Sequence, residues 1–251
     1  MKRLRRMALI LMLTYLALCG IMYWTQRSFL YFPQPATGSS GPERILDLRV
    51  DDVRVRVSVR NREGADALVY FGGNAEDVTR SLDDYAQAFP DHAIYMLHYR
   101  GYGGSTGAPS EAALHRDAKV LLDLVKSRHS RVMLVGRSLG SGVAVRLAAE
   151  NPVERLVLIT PYDSIVNVGR EQFPWLPVGW LLKDRFESVR WAPAVKARTL
   201  ILMAERDEII AAERTRALHR TFASGVASLE VVPGADHNSI MGSTGVFGRM
   251  R

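Results

Sequence analysis

One serine of this chain stands between two glycines, in Arg131-Val-Met-Leu-Val-Gly136-Arg137-Ser138-Leu139-Gly140-Ser141-Gly142. An apolar run precedes it and the helical pattern Val143 to Ala149 follows. Gly-x-Ser-x-Gly at a strand-turn-helix junction holds its serine on a strained turn at positive φ. Side chains two places before and after that serine would strike the adjoining strand and helix, and Gly136 and Gly140 remove them. Ser138 Oγ then rises above the sheet edge at a helix N-terminus, where the dipole and unpaired N–H groups favour developing negative charge. The matching chemistry is nucleophilic attack on a carbonyl. In a chain with 20 glycines the pattern alone is weak, and its partners decide its meaning.

A hydroxyl at its free pKa is a poor nucleophile and needs a base, which needs an orienting group in turn. For this elbow the chain order is serine, acid, histidine. Asp207 follows the apolar run Thr199 to Met203, in Ala204-Glu205-Arg206-Asp207-Glu208. His237 follows the next such run, in Gly234-Ala235-Asp236-His237-Asn238. Both lie in loops at the edge of a parallel sheet where Ser138 emerges, so three residues distant in sequence converge. Glu205, Glu208 and Asp163 compete for the acid's place, and spacing favours Asp207. Among the other histidines, His92, His115, His129 and His219 neighbour charged or polar residues and are expected to be solvated. His98 ends an apolar run and is expected to be a structural hydrogen-bonding residue.

Attack on a carbonyl creates an oxyanion, which needs two preset N–H donors. The backbone of Leu139 is expected to supply the first. The second is expected from Phe71-Gly72-Gly73-Asn74-Ala75-Glu76-Asp77, a Gly-rich turn into a helix, with Asn74 the preferred donor and Gly73 the next; an ordinary βα turn is the plainer alternative.

Strands and helices alternate around these loops. Arg49 to Val59 shows period-two alternation and predicts a half-exposed strand. Ala67 to Phe71, Ala93 to His98, Val132 to Val135 and Leu156 to Thr160 are almost continuously apolar, as strands buried on both faces are. Thr199 to Met203 and Ser228 to Val232 follow the same rule, and Ala112 to Val125 and Ala211 to Phe222 have helical period. The expected class is α/β, a mostly parallel sheet covered by helices. Phe173 to Leu182, short and apolar, falls where a cap is inserted; its side chains line an acyl pocket, rest on a bilayer, or simply pack on the core.

The chain of 251 residues is 47% apolar and 24% charged, which excludes disorder, collagen and coiled coil as the main architecture. A single cysteine, Cys19, excludes an intramolecular disulfide framework and a cysteine zinc cage. Of the net charge of +7, residues 1 to 42 hold +5, leaving only +2 for the body. Basic residues there alternate with acids, so nucleic-acid binding is not expected. No metal cluster or dinucleotide fingerprint appears, and no cofactor is expected.

Lys2 to Arg6 precede Met7 to Trp24, 18 residues in which Thr14 is the clear polar member. Such a run is long enough to span a bilayer. A cleaved signal shares the pattern, but no clean small-x-small site follows, Ala17-Leu18-Cys19 being the nearest candidate, and bulky Leu18 disfavours lipidation at Cys19. Residues 1–27 are therefore expected to be a basic head and transmembrane anchor, 28–42 a linker, and 43–251 the catalytic domain. The positive-inside rule keeps Lys2 to Arg6 cytoplasmic and the body on the other, periplasmic or extracellular side. Tyr23, Trp24, Tyr31 and Phe32 suit the interfacial aromatic belt.

From about residue 43 to 241 the chain resembles the alpha/beta-hydrolase superfamily, and is especially similar to small membrane-anchored serine hydrolases related to protein depalmitoylases. The resemblance rests on Gly72-Gly73-Asn74-Ala75, Tyr99-Arg100-Gly101-Tyr102-Gly103-Gly104-Ser105, Gly136 to Gly142, Asp207 and His237. It implies catalytic roles for Ser138, Asp207 and His237 and oxyanion donors at Asn74 and Leu139 but does not settle the substrate, for which a small-molecule or lipid-like acyl compound is the expectation. Gly72 stands where relatives usually carry histidine, a departure that bears on what supports the loop rather than on the loop itself. The fold hosts esterases, thioesterases, lipases and peptidases. Hydrolysis of esters or thioesters is the leading expectation, with a peptidase or amidase using the same residues, or a non-catalytic binding module, as rivals.

Overall fold

The computed structural model describes residues 1–38, 43–64 and 66–251. A 29-residue helix, α1 (Lys2–Leu30), leads into a hairpin of β1 (Arg44–Val50) and β2 (Val53–Arg60). Then come β3 (Asp66–Phe71), α2 (Leu82–Ala88), β4 (Ala93–Leu97), α3 (Glu111–Lys126), β5 (Arg131–Arg137), α4 (Leu139–Glu150) and β6 (Arg155–Ile159). The short helices α5 (Ile165–Gln172), α6 (Val178–Leu181) and α7 (Ser188–Trp191) precede β7 (Arg198–Ala204), α8 (Ala212–His219), β8 (Ala227–Val232) and α9 (Val246–Met250). The eight strands form one sheet in the order β1-β2-β4-β3-β5-β6-β7-β8. β2 runs antiparallel to both its neighbours and the remaining pairs are parallel. This is the α/β sheet the sequence predicts.

Side chains alternate across each strand, and the alternation divides the core. Val69 and Phe71 of β3, Leu134 of β5 and Leu158 of β6 pack on one face with α3 and α4. Leu68 and Tyr70, Met133 and Val135, and Val157 and Ile159 pack on the other with α2 and α9. Strands buried on both faces need nearly all-apolar sequences, which is why these runs lack polar breaks. α3 starts at Ser110, whose hydroxyl accepts the Ala113 N–H at 3.2 Å. It buries Leu114, Ala118, Leu121, Leu122 and Val125, one face at helical spacing.

One expectation needs correcting. The single strand read over Arg49 to Val59 is two strands, joined at Asp51-Asp52 with Asp51 at φ 53°. The alternation slips phase there: Leu46, Leu48 and Val50 occupy even positions and Val55, Val57 and Val59 odd ones. Aspartate tolerates the left-handed conformation of such a turn better than most residues.

At 1.5 Å per residue α1 measures about 43 Å, enough to cross a bilayer. It is exposed from Lys2 to Leu18, and it meets the body through the Tyr15 hydroxyl, Cys19 and its C-terminal end. There Gln26 Nε2 donates to the Leu181 carbonyl at 2.9 Å and Gln26 Oε1 accepts the Lys183 N–H at 2.6 Å. Arg27 pairs with buried Asp184 at 2.8 Å, which also accepts the Tyr31 hydroxyl at 3.2 Å. Of the interval 28–42 expected as linker, residues 28–30 complete the helix. Residues 31–37 lie along the body, with the Phe32 N–H on the Asn74 carbonyl at 3.0 Å and the Thr37 hydroxyl on Asp77 at 2.6 Å. Residues 39–42 fall outside the described residues.

Candidate active site

β5 delivers Ser138 and α4 receives it. Ser138 sits at φ 49°, ψ −118°, strain held by the Ser138 N–H on the Ile159 carbonyl and by Ser141, whose N–H and hydroxyl both donate to the Ser138 carbonyl. A methyl group on Gly140 would overlap the Phe71 carbonyl, and one on Gly136 would press on the Gly140 carbonyl and Ala144. Here the two glycines are a packing requirement.

The loops after β7 and β8 bring the other two residues to the serine. His237 Nε2 lies 2.9 Å from Ser138 Oγ, and His237 Nδ1 lies 2.9 and 3.0 Å from the two carboxylate oxygens of Asp207. A carboxylate only accepts, so the ring carries its proton on Nδ1 and leaves Nε2 free to accept from the serine. The imidazole is 4% exposed. Asp207 Oδ1 also accepts the Ile209 and Ile210 N–H groups at 3.0 and 2.7 Å, fixing the carboxylate. Asp236 accepts the Asn238 and Ser239 N–H groups at 2.9 and 2.8 Å and shapes the turn that presents the histidine.

The competing acids are engaged elsewhere. Glu205 accepts the Gly234 N–H at 2.7 Å, and Asp163 is buried against Arg214 at 2.7 Å and Asn167 at 2.8 Å. Glu208 is exposed.

Gly73 is not available as an oxyanion donor, because its N–H is committed to Glu76 Oε2 at 2.8 Å. The Asn74 and Leu139 N–H groups meet no acceptor among the described residues. The loop is braced from behind: the Asn74 carbonyl accepts the Tyr102 hydroxyl at 2.6 Å, and the Gly72 carbonyl accepts the Tyr99 hydroxyl at 2.8 Å. Burial holds the Tyr99 phenol well above its usual pKa, so it donates. Tyr99-Arg100-Gly101-Tyr102 thus supports the loop, with Arg100 anchored to buried Asp117 at 2.7 Å. At Gly72 a side chain would strike Val78. Support comes instead from Glu76, which also accepts the Tyr70 hydroxyl at 2.7 Å and pairs with Arg137 at 3.0 Å. Burial opposes the Arg137 charge most strongly, but Glu76, Tyr70 and Tyr85 together outweigh it, so the arginine's pKa is raised overall.

Glu76 lies two residues beyond Asn74 in the same loop, and that proximity is the signal the sequence holds for it. Nothing in the linear order relates residue 22 to residue 138, so α1 at the site has no signal in the sequence. Two of the other histidines also differ from expectation. His115 and His129 are buried, 8% and 7% exposed, rather than solvated. His115 packs on Phe186, and His129 bonds the Tyr95 hydroxyl and the Gly64 carbonyl, both at 3.0 Å. Arg116 and Arg128 beside them are exposed while the two rings turn inward, so charged neighbours in sequence do not solvate them. His98 is the buried structural residue expected, bonded to Ser58 at 2.8 Å.

Above Ser138 lies a cavity of about 690 Å³. Asn74, Ser138 and His237 line it on one side, and Phe173, Leu176 and Leu181 from the cap with Met22, Phe29 and Leu30 from α1 on another. The cap's apolar side chains therefore face the serine, while Trp175 and Trp180 point outward, 53% and 91% exposed. Among the described residues no group of three His, Cys, Asp or Glu side chains is placed to hold a metal ion.

This combination of sheet, elbow and loops defines a class. The family model for the alpha/beta hydrolase fold matches residues 67–190. An uncharacterized protein of Mycobacterium tuberculosis is 32% identical over 95% of this chain and 90% of its own length, and protein bem46 of Schizosaccharomyces pombe is 26% identical over 94% and 88%. The chain belongs to the alpha/beta hydrolase fold family. Lysophosphatidylserine lipase ABHD12 of Xenopus tropicalis is 34% identical over 57% of this chain, an alignment that spans 43% of the lipase. An esterase of Pyrococcus furiosus shares the fold with a TM-score of 0.69 at 15% identity, over 88% of this chain and 95% of the esterase.

Proposed function

We propose that this chain is a membrane-anchored serine hydrolase that cleaves carboxylic esters or thioesters of lipid-like acyl substrates. The observation that carries the reading is the unbroken relay Asp207–His237–Ser138, with both links at 2.9 Å, beside two unpaired N–H groups. His237 Nε2 takes the Ser138 proton as Oγ attacks the acyl carbon, and the carbonyl electron pair moves onto oxygen, where Asn74 and Leu139 N–H groups hold it. Collapse expels the alcohol or thiol, which leaves with the proton from His237, and Ser138 carries the acyl group. Water, deprotonated by His237, attacks that ester; the carboxylic acid leaves and Ser138 recovers its proton. Asp207 keeps the ring oriented and stabilises the imidazolium.

Support for an acyl substrate comes from the apolar cavity over Ser138, and the names of the lipase and esterase relatives agree with it. Support for the anchor comes from α1, whose apolar stretch is almost entirely exposed. Lys2 to Arg6 place its N-terminus in the cytoplasm and the body on the opposite side. Residues 28–42 join the anchor to the catalytic domain at 43–251.

Nitrophenyl esters and nitroanilides of the same acids, offered to the full chain and to Ser138→Ala, test the reading. Ester cleavage by the wild type alone is expected. Equal cleavage of anilides would move the assignment to an amidase, and no cleavage by folded protein would favour a binding module. A reporter that works only in the cytoplasm, fused after Arg251, is expected to be silent; its activity would refute the topology.

A further inference from the structure

Met22, Gln26, Phe29 and Leu30 lie three and four residues apart, one face of α1, and all four line the cavity that contains Ser138. Gln26 is the polar member, and both ends of its amide are consumed: Nε2 donates to the Tyr23 and Leu181 carbonyls at 2.8 and 2.9 Å, and Oε1 accepts the Lys183 N–H at 2.6 Å. It therefore seals α1 to the cap and leaves the apolar Met22, Phe29 and Leu30 to the cavity. Arg27 and Tyr31 on Asp184, and the Tyr15 hydroxyl on the Trp175 carbonyl at 3.0 Å, fix the same join on either side.

Phe29 both lines the cavity and is 58% exposed, so the cavity wall reaches the surface of α1 here; on the body Ala75, Ile209 and Asn238 line it and are exposed too. Tyr23 and Trp24 end the apolar run of α1, and Lys183 Nζ sits over their rings at 3.9 and 5.1 Å. Trp175, whose carbonyl meets Tyr15, and Trp180 are exposed on the cap. Aromatic rings with a lysine over them mark the depth at which hydrocarbon gives way to headgroups. The α1 wall of the cavity, which begins at Met22, therefore starts at that depth.

We infer that the segment Met22 to Leu30 of α1 is a wall of the acyl-binding site, so that the acyl chain of a bilayer-resident amphiphile bound at Ser138 lies against Met22, Phe29 and Leu30. The inference rests on the serine hydrolase reading above. It makes α1 part of the substrate site as well as an anchor. A cavity of about 690 Å³ is of the size that holds one drug-sized ligand, which suits one chain and its ester or thioester.

The test uses the full chain in lipid nanodiscs and a dodecyl fluorophosphonate carrying a diazirine at the far end of the chain. Ser138 Oγ displaces fluoride from phosphorus, its proton leaves through His237, and irradiation then joins the chain end to whatever it touches. Mapping is expected to find crosslinks on the α1 segment containing Met22, Phe29 and Leu30, together with the cap. A Ser138 adduct with crosslinks confined to residues of the body outside α1 would overturn the inference and leave the hydrolase reading intact. Absence of a Ser138 adduct would overturn both. As a second measurement, Met22→Trp is expected to lower the ratio of kcat/KM for dodecanoate over butyrate esters at least tenfold, while Leu11→Trp, on the exposed part of α1, keeps the wild-type ratio. An unchanged ratio in Met22→Trp would also overturn the inference.

Discussion

Glu76 and Arg137 form an ion pair of 3.0 Å behind the Ser138 turn, their side chains 9% and 15% exposed. Through it the loop carrying Asn74 is joined to the loop carrying His237. Glu76 holds the Gly73 N–H at 2.8 Å, and Arg137 reaches the carbonyls of His237 and Asn238 at 3.5 Å. Glu76 touches no reacting atom, so its contribution is position. Glu76→Gln keeps the shape and removes the charge, and is expected to lower kcat by roughly 10- to 100-fold with KM little changed, the scale of a small misplacement at a reacting centre. Steady-state kinetics on a nitrophenyl ester separates this from a structural role, which would lower the amount of folded enzyme and leave its kcat intact.

Asp207→Asn removes the acceptor that keeps the His237 proton on Nδ1. The wrong tautomer cannot take the Ser138 proton, and kcat is expected to fall on the order of 10⁴-fold while substrate binding persists. Titration of a substrate analogue alongside turnover checks both halves. Full activity in this variant would return Glu205 or Asp163 to consideration, despite their engagement elsewhere.

Gly140→Ala places a methyl group on the Phe71 carbonyl, which belongs to the backbone of the central strand β3 and cannot swing aside. A loss of about 3 kcal/mol or more is expected, at the upper end of overpacking costs, and the variant should express poorly. Urea unfolding in detergent would show it. Gly242→Ala, where the added methyl meets nothing within 4 Å, is the matched control and should unfold near the wild-type midpoint.

Stability is expected to depend on pH through two buried imidazoles. Burial pushes His98 from its ordinary 6.5 down to about 4, and His115 down to about 3. His115 lies 3.9 Å from Glu111, but a neutral ring makes no ion pair, and the depth of burial decides the matter. The unfolded chain binds protons near pH 6.5 and the fold does not, so this stability is complete above about 6.5. It is lost as pH falls from there through 4 and then 3, by up to about 1.4 kcal/mol per pH unit for each histidine. Urea midpoints at pH 7 and pH 5 test it, and equal midpoints would contradict it.

Much of this was legible in the sequence because it depends on local order. Buried strands announce themselves as apolar runs, and an elbow as glycines two places from a serine. The loops carrying Asp207 and His237 follow their strands directly, so chain order alone brings them to the sheet edge. The hairpin turn at Asp51-Asp52 hid in a continuous alternation whose phase slip is one residue long. What stayed hidden depends on packing between distant segments. Nothing near Glu76 in sequence indicates that it holds the Gly73 N–H and Arg137 at once. Likewise, an apolar run such as Met7 to Trp24 reads as an anchor whether or not its end lies beside Ser138, and the bonds of Tyr15, Gln26 and Arg27 to the body distinguish the two.

The central claim is that Ser138 is an activated nucleophile. The most direct measurement is the intact mass of the full chain and of Ser138→Ala after exposure to a simple alkyl fluorophosphonate. One phosphonyl adduct is expected on the wild type, mapped to the Ser138 peptide, and none on the variant. A folded wild type that stays unmodified, or a variant that is modified equally, would contradict it.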